Sequence, residues 1–322
     1  MSLKLPPLPL VDSPDGPVFL CDNSSLEKLV CPRLWQLVNL NRRTLVESRA
    51  GRNFGAGLHV GLKERYSLCG HNEVTPDKTK IINSAISEFF RSSPQPVDDF
   101  RTLEHCQRVM QAYNEYYRSE PFKILQRPDG KPAVESSFSF PLGKVDEVMV
   151  YYIGRMDMNI EDNTGEWVFD HKTAFMFGDG FRRSLERNAG QIGYCWAHQQ
   201  IYGRLPRGYV IDAIRIRRPK KGDEYTGAPP IDSSDLQRIP YFIMPDNVEY
   251  WKQNTLRKIE NIFLMHSVGY FYQNESQCET KYGPCDFYDL CSAPESSWDE
   301  ILNSTRYEHN DWSPLNLPTK GE

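Results

Sequence analysis

The sequence predicts an α/β fold, in which helices flank a central mixed sheet and an N-terminal helical lobe precedes it. Apolar residues recur at helical spacing before Pro121, whereas polar and apolar residues alternate as in strands from Val134 to Lys172. Helical and strand patterns then follow one another to Tyr270, an order typical of α/β proteins. The chain has 322 residues, 39% of them hydrophobic, which is enough for a sizeable core.

The N-terminal lobe is predicted to be helical throughout. Its first helix runs from Ser24 to Arg43, with Asn23 or Ser24 as the cap and an apolar stripe that includes Leu26, Val30 and Leu37. Further helices are expected over about 54 to 69, 77 to 92 and 98 to 119.

The second half supplies the sheet. A meander is predicted over Val134 to Pro141, Val145 to Ile160 and Glu166 to Lys172. A helix over 184 to 202, strands near 207 to 217 and 239 to 244, and a long closing helix from Asn247 to Tyr270 follow.

One hairpin of this meander carries the most informative polar residues. Asp157 and Asp170 lie on either side of a turn at Asp162 to Gly165. Because side chains alternate along a strand, Asp170 and Lys172 are expected on one face and His171 on the other. Two carboxylates and a lysine suit phosphodiester hydrolysis, which needs acidic metal ligands and a cation near the attacking water. The alternative is a surface hairpin whose charges are solvated.

Three other side chains are candidates for the same site. His59 lies in a predicted helix rich in small residues, and the alternative is a core or surface histidine. Gln191 and Tyr194 lie three apart, and so on one side of a helix, where they could hold a nucleic-acid strand. Their alternative is a surface glutamine and a half-buried core tyrosine. Glu135 could add an acidic group, although a solvent-facing strand carboxylate is favoured.

In chain order, these elements resemble the PD-(D/E)xK nuclease superfamily, in particular its RecB-like branch. That branch includes CRISPR-associated adaptation nucleases and many phage exonucleases. The resemblance spans about residues 20 to 295. Its motifs are G-x-G-x-H at Gly55 to His59, G-R-x-D at Gly154 to Asp157, D-H-K at Asp170 to Lys172, and the helix with Gln191 and Tyr194. The family usually spaces its glutamine and tyrosine four apart, so this helix departs from its pattern.

The resemblance implies a restriction-endonuclease-like core and a metal-dependent DNA nuclease. It implies that His59, Asp157, Asp170 and the main-chain carbonyl of His171 bind Mg²⁺ or Mn²⁺, while Lys172 assists the attacking water. DNA is the implied partner, and the expected activity is exonucleolytic, in recombination, repair or phage DNA processing. An endonuclease, a nuclease acting on RNA, and a catalytically silent DNA-binding or scaffold protein of the same fold remain alternatives.

Four cysteines form a second candidate site: Cys31, Cys278, Cys285 and Cys291. Several RecB-like nucleases hold a [4Fe–4S] cluster with one cysteine before the core and three after it, and this layout is similar. Six residues separate Cys278 from Cys285, whereas the family commonly has two there. Zinc, or no metal at all, remains an alternative. Packing roles are expected for Cys21, Cys69, Cys106 and Cys195.

The charge of the chain is unevenly distributed along the sequence. The net charge is −5, so phosphate contacts would depend on local basic clusters. These are Arg182, Arg183 and Arg187, and then Arg215, Arg217, Arg218, Lys220 and Lys221, for which solvated charge is the alternative.

The sequence shows neither an apolar run long enough to span a membrane nor a secretory signal, so a cytoplasmic protein is expected. An N-terminal extension over 1 to 20, a nuclease domain over 21 to 295, and a tail over 296 to 322 are expected. The tail is predicted to be mobile or weakly docked from about Tyr307.

Overall fold

The structure is a computed structural model that describes residues 5–46, 50–92, 100–217, 231–280 and 283–310. Its strands are β1 (Leu10–Ser13), β2 (Gly16–Cys21), β3 (Arg43–Leu45), β4 (Lys123–Ile124), β5 (Val134–Val145), β6 (Val148–Asp162), β7 (Gly165–Ala174), β8 (Gly208–Arg215), β9 (Leu236–Phe242), β10 (Glu279–Thr280), β11 (Gly283–Pro284) and β12 (Tyr307–His309). Its α-helices are α1 (Asn23–Glu27), α2 (Pro32–Trp35), α3 (Ala50–Cys69), α4 (Pro76–Ser92), α5 (Leu103–Tyr116), α6 (Asp179–Glu186), α7 (Ala189–Tyr202), α8 (Pro245–Val268), α9 (Tyr288–Ser292) and α10 (Trp298–Leu302).

The fold is α/β, with a mixed sheet of eight strands in the described part of the chain and helices flanking it. The strand order is β1-β2-β6-β7-β8-β9, and β4 and β5 also pair with β6. β2 pairs with β6, and β7 with β8, in parallel, whereas β6 and β7 form an antiparallel hairpin. The predicted α/β class and the predicted hairpin are therefore confirmed.

The chain divides into two compact units, and β5 and β6 contribute residues to both. The first unit comprises Met1–Ser48, Ser137–Gly154 and Glu249–Glu322, and the second comprises Arg49–Ser136 and Arg155–Val248. The second unit carries the acidic hairpin and the first carries the four candidate cysteines. Each candidate site therefore belongs to a single unit.

In the second unit, two glycines let α3 pack closely against its neighbouring helices. A Cβ atom at Gly57 would lie 2.5 Å from a ring carbon of Phe90, and one at Gly61 would lie 2.8 Å from Ile86 Cδ1. Both distances are too short for a side chain. Gly57 and Gly61 are thus explained by packing, and they bring α3 into one core with α4 and α5.

In the first unit, the predicted helix from Ser24 to Arg43 is wrong in detail. The segment is broken into α1, a 3-10 turn at Lys28–Val30, α2, and a π-helical turn at Gln36–Leu40. Pro32 explains the break, because proline has no N–H to donate and starts a helix better than it continues one. Arg43 itself lies in β3.

Both ends of the described chain contain paired strands. The expected extension over 1 to 20 contains β1 and most of β2, and β2 joins the central sheet beside β6. The expected weak docking from Tyr307 is wrong for β12, which pairs with β3, while Tyr307 is buried against Phe287. Residues 311–322 lie outside the described residues.

Two other predicted helices have different limits. The helix expected over 98 to 119 begins at Leu103, because the Thr102 hydroxyl caps it by accepting from the His105 N–H. The helix expected over 184 to 202 is two helices, α6 and α7, and Asn188 caps the second.

None of the helices in the described ranges combines the length and apolarity that crossing a bilayer requires.

Candidate active site

His59, Glu135 and Asp157 bring three ligand atoms together from α3, β5 and β6. His59 Nδ1 lies 3.5 Å from Asp157 Oδ2 and 4.0 Å from Glu135 Oε1. One ligand atom from each residue falls within 4.8 Å of the other two, close enough for a single metal ion. Among the described residues, this is the one such group of three or more histidine, cysteine or acidic side chains.

Glu135 is not the solvent-facing carboxylate that the sequence favoured. Its side chain is only 12% exposed and its Oε2 lies 2.7 Å from Nε of Arg155. Its backbone has a φ of 48°, in the left-handed region that non-glycine residues rarely adopt. Such strained backbone tends to be kept where it positions a functional group. Strand alternation does not predict this left-handed residue, which is why the sequence favoured a solvent-facing role for Glu135.

Asp170 and Lys172 lie on β7, the strand that pairs with the one carrying Asp157. The pairing of Met158 with Phe169 brings Asp157 and Asp170 to neighbouring positions. Asp170 is buried, and its Oδ2 lies 2.7 Å from Lys172 Nζ, so these two side chains share a face as strand alternation predicts. Lys172 keeps 41% of its side chain exposed, so its ammonium group is accessible at the site.

His171 contributes through both its backbone and its ring. Its N–H donates to Asp157 Oδ2 at 2.8 Å, and its ring Nδ1 lies 2.8 Å from Asp212 Oδ2. The imidazole is therefore directed away from Lys172. This leaves the main chain of His171, rather than its ring, beside Asp157.

Asp212 belongs to a buried polar network that the sequence did not reveal. Its Oδ2 accepts from the Tyr113 hydroxyl at 2.7 Å, and its Oδ1 accepts from Arg238 Nε at 3.2 Å. Arg238 also donates to Glu120, which accepts a hydrogen bond from Tyr66. Residues from β8, β9 and the helical lobe thus support His171. Their separation along the chain left no local motif by which to find them.

The charges of the site are strongly coupled. Burial alone would raise the pKa of Asp157, but the positive charges of His59, His171 and Lys172 outweigh it and hold that pKa well below its usual range. Burial would lower the pKa of His59, but the Asp157 and Glu135 carboxylates raise it to about 9. Burial, together with the Asp157 charge, raises the pKa of Glu135. The two carboxylates thus favour the protonated form of His59.

Gln191 and Tyr194 lie on α7, which packs against β7 and β8. Gln191 is 2% exposed, so it is not the surface residue of the alternative interpretation. Within the described ranges, no hydrogen-bond donor reaches its side-chain Oε1. Buried acceptors in folded proteins normally have a partner, so this orphan oxygen is consistent with a role in holding a ligand or an ordered water. Tyr194 is half-buried.

Two basic residues near the end of β8, Arg215 and Arg217, are paired with carboxylates. Asp235 Oδ1 accepts from both Arg215 and Arg217, and Asp232 also pairs with Arg217. Their charge is largely compensated, which argues against the predicted phosphate contact there. By contrast, Arg182 and Arg183 are exposed on α6, and Arg187 is exposed just after it. Arg218, Lys220 and Lys221 lie outside the described residues.

The four candidate cysteines all line one small cavity in the first unit. Cys31 precedes α2, Cys278 and Cys285 flank the β10–β11 hairpin, and Cys291 lies in α9. The Cys285 N–H donates to the carbonyl of Cys278 at 2.9 Å, which fixes their relative positions. Burial, together with the neighbouring thiols, raises the pKa of Cys291 to about 11. Cys21, Cys69, Cys106 and Cys195 are buried elsewhere, as packing residues would be.

Comparison with known proteins gives no family. No protein-family model matches this sequence, and no curated protein matches it significantly.

Proposed function

We propose that this protein is a metal-dependent nuclease that hydrolyses DNA phosphodiester bonds, with an exonuclease as the preferred form. The observation that carries the proposal is the convergence of His59, Glu135 and Asp157 around one point, beside the Asp170–Lys172 pair. A binding or scaffold protein would gain nothing from three clustered carboxylates next to a phosphate, because they would repel it without a cation.

The ligand set fits Mg²⁺ or Mn²⁺. Carboxylate oxygens suit both ions, and an imidazole nitrogen is better tolerated by Mn²⁺. Asp157 and Glu135 would supply oxygens, His59 a nitrogen, and Asp170 a further oxygen after exchanging its contact with Lys172. A bound divalent ion would lower the pKa of a water molecule and neutralise charge on the phosphate.

The remaining roles fall to side chains of the site. Lys172, which is 41% exposed, would hold the attacking water or stabilise charge on the reacting phosphate. His59 must lose its proton to act as a ligand, since only the neutral imidazole coordinates a metal. The His171 N–H donates to Asp157 Oδ2, the oxygen that lies 3.5 Å from His59 Nδ1, and so fixes the orientation of that carboxylate in the ligand cluster.

The test is hydrolysis of end-labelled single- and double-stranded DNA with blocked 5′ or 3′ ends, in Mg²⁺, Mn²⁺ or EDTA. Cleavage is expected with either ion and not in EDTA. Asp157→Ala and Asp170→Ala should each lose it while retaining the fold by circular dichroism. The exposed turn residue Glu147 offers a matched control, since Glu147→Ala removes a carboxylate outside the site. Wild-type rates in purified Asp170→Ala protein would refute the proposal, and metal binding without cleavage would favour the scaffold alternative.

We further propose a [4Fe–4S] cluster at Cys31, Cys278, Cys285 and Cys291. Their shared cavity supports a common ligand, and thiolates are the usual ligands of such clusters. Zinc, which four thiolates also bind, is the alternative that metal analysis of the purified protein distinguishes.

A further inference from the structure

We infer that the loop after β7, formed by Phe175, Met176 and Phe177, is a stacking site for an unpaired base of a DNA strand. We call it the 175–177 loop. The inference rests on the proposed function, because it states how that site would hold its substrate.

The loop follows the proposed catalytic lysine directly. Phe175 is three residues beyond Lys172, so about 10 Å separates them along an extended strand. A Cβ atom at Gly55 would lie 3.6 Å from Thr173 Oγ1, which places this part of β7 beside α3, one helical turn before His59. A strand bound at the ligand cluster would thus reach the loop with the nucleotides that flank the scissile phosphate.

The loop exposes large apolar side chains beside a polar site. Phe175 is 48% exposed and Met176 is 75% exposed. Adjacent exposed apolar side chains of this size are costly in water and commonly mark binding surfaces. Phe177 is half-buried and packs against Phe181 of α6, with ring centroids 5.6 Å apart. Phe177 therefore anchors the loop. Met176 and one face of the Phe175 ring remain accessible, since Arg101 lies over the other face.

The charges around the loop suit a nucleic acid rather than an apolar protein surface. The guanidinium carbon of Arg101 lies 5.0 Å from the Phe175 ring centroid, over one face of that ring. Arg215 lies 5.8 Å from the Phe177 ring centroid, but its charge is compensated, so Arg101, Arg182 and Arg183 are the arginines that would meet phosphates. The exposed Arg182 and Arg183 follow on α6. Two acidic side chains also lie nearby: Asp235 pairs with Arg215, and Asp179 begins α6. Aromatic faces with arginines beside them match bases with phosphates beside them.

The base must be unpaired. In a duplex both faces of each base are covered by its neighbours, so an aromatic side chain can stack only on a base that has left the helix. The site would therefore accept a single strand or the frayed end of a duplex. Intact duplex interiors would be excluded.

The test measures binding to two single-stranded 20-mers, one of ordinary sequence and one with abasic sites throughout its centre. Binding is followed by fluorescence anisotropy in EDTA and with Ca²⁺ in place of Mg²⁺. Phe175→Ala should bind the ordinary strand about tenfold more weakly, yet bind the abasic strand as the wild type does. Phe175→Trp should restore binding, because it restores the aromatic face. Tyr250→Ala is the control, since Tyr250 is a 69% exposed aromatic on α8.

A second readout reports stacking directly. A strand carrying 2-aminopurine should lose fluorescence on binding the wild type and retain more of it with Phe175→Ala. The inference would be overturned if Phe175→Ala and the wild type bound the ordinary strand with equal affinity. It would also be overturned if Phe175→Ala lost the same affinity for the ordinary strand as for the abasic strand. If the wild type cleaves DNA but Phe175→Ala binds the ordinary strand as the wild type does, the stacking site is refuted and the proposed nuclease is not. Base-dependent binding without cleavage in Mg²⁺ or Mn²⁺ defeats the proposed nuclease and leaves the stacking site standing.

Discussion

His171 Nδ1 lies 2.8 Å from Asp212 Oδ2, while the backbone N–H of the same histidine donates to Asp157 Oδ2 at 2.8 Å. Asp212 is fully buried and itself held by Tyr113 and Arg238. Although its burial would raise its pKa, the charges of Arg238 and His171 outweigh that effect and lower the pKa. A fixed carboxylate thus orients one histidine, whose main chain orients a candidate metal ligand.

We predict that Asp212→Asn weakens metal binding although Asp212 is not in the ligand group. The substitution keeps the shape but removes the charge that fixes the His171 ring, and supporting contacts of this kind typically change metal affinity by about 10–100-fold. Isothermal titration with Mn²⁺ measures the affinity.

The matched control for Asp212→Asn is Glu166→Gln. Glu166 is a buried carboxylate of the same unit that likewise accepts from a buried histidine, His198, at 3.1 Å. Each variant should lose about 1–3 kcal/mol of unfolding free energy and therefore melt at a lower temperature than the wild type. Only Asp212→Asn should lose Mn²⁺ affinity. An equal affinity loss in both would indicate a general structural effect.

Glu135→Gln should reduce Mn²⁺ affinity at least as much as Asp212→Asn does, because it removes a charged oxygen from the ligand group itself. Titration of the purified variant checks this, with circular dichroism to confirm the fold. If the Mn²⁺ affinity is unchanged, Glu135 is not a metal ligand and its role is the ion pair with Arg155.

The pH dependence of stability without metal should report on His59. Its folded pKa of about 9 lies above the ordinary value of 6.5, so the protonated form is favoured by folding. The resulting stability is fully present below pH 6.5 and is lost as the pH rises through 9. In EDTA, the melting temperature of the wild type should fall over that window more than that of His59→Gln. Parallel curves for the two proteins would contradict the predicted ion pair with Asp157.

Gly61→Ala should destabilise the protein, whereas Gly55→Ala should not. An added methyl at position 61 meets Ile86 and Met110 at about 3 Å or less, and such overpacking typically costs about 1–3 kcal/mol. At position 55 the nearest atom is 3.6 Å away, and alanine favours a helix by about 1 kcal/mol over glycine. Urea denaturation of the pair measures both effects. A Gly61→Ala variant as stable as wild type would disprove the tight packing of α3.

Cys285→Ser should abolish bound iron, if the four cysteines hold a cluster. Anaerobically purified wild type should be brown and contain about four irons per chain, the stoichiometry of a cubane cluster. Cys69→Ser, at a buried thiol in the other unit, should keep the full iron content. A colourless protein with bound zinc would establish the zinc alternative, and a stable metal-free protein would eliminate both metals.

The sequence by itself determined the features that depend on local pattern. Residue alternation around a short turn predicted the β6–β7 hairpin and the shared face of Asp170 and Lys172, because the period of a strand is fixed by its backbone. Helical periodicity predicted α3, α4 and α8 with limits a few residues from those observed. It did not single out His59, which became a candidate ligand only through the G-x-G-x-H motif of the resemblance.

Only the tertiary structure decided the features that join distant parts of the chain. Asp212 supports His171 from 41 residues away, and Arg238 reaches Glu120 across 118 residues, so neither leaves a local signal. Glu135 enters the ligand group through a left-handed backbone turn that strand alternation does not predict. The pairing of β12 with β3 likewise depends on chain segments meeting in space. Local spacing fixes which way a side chain points, but long-range packing fixes what it meets.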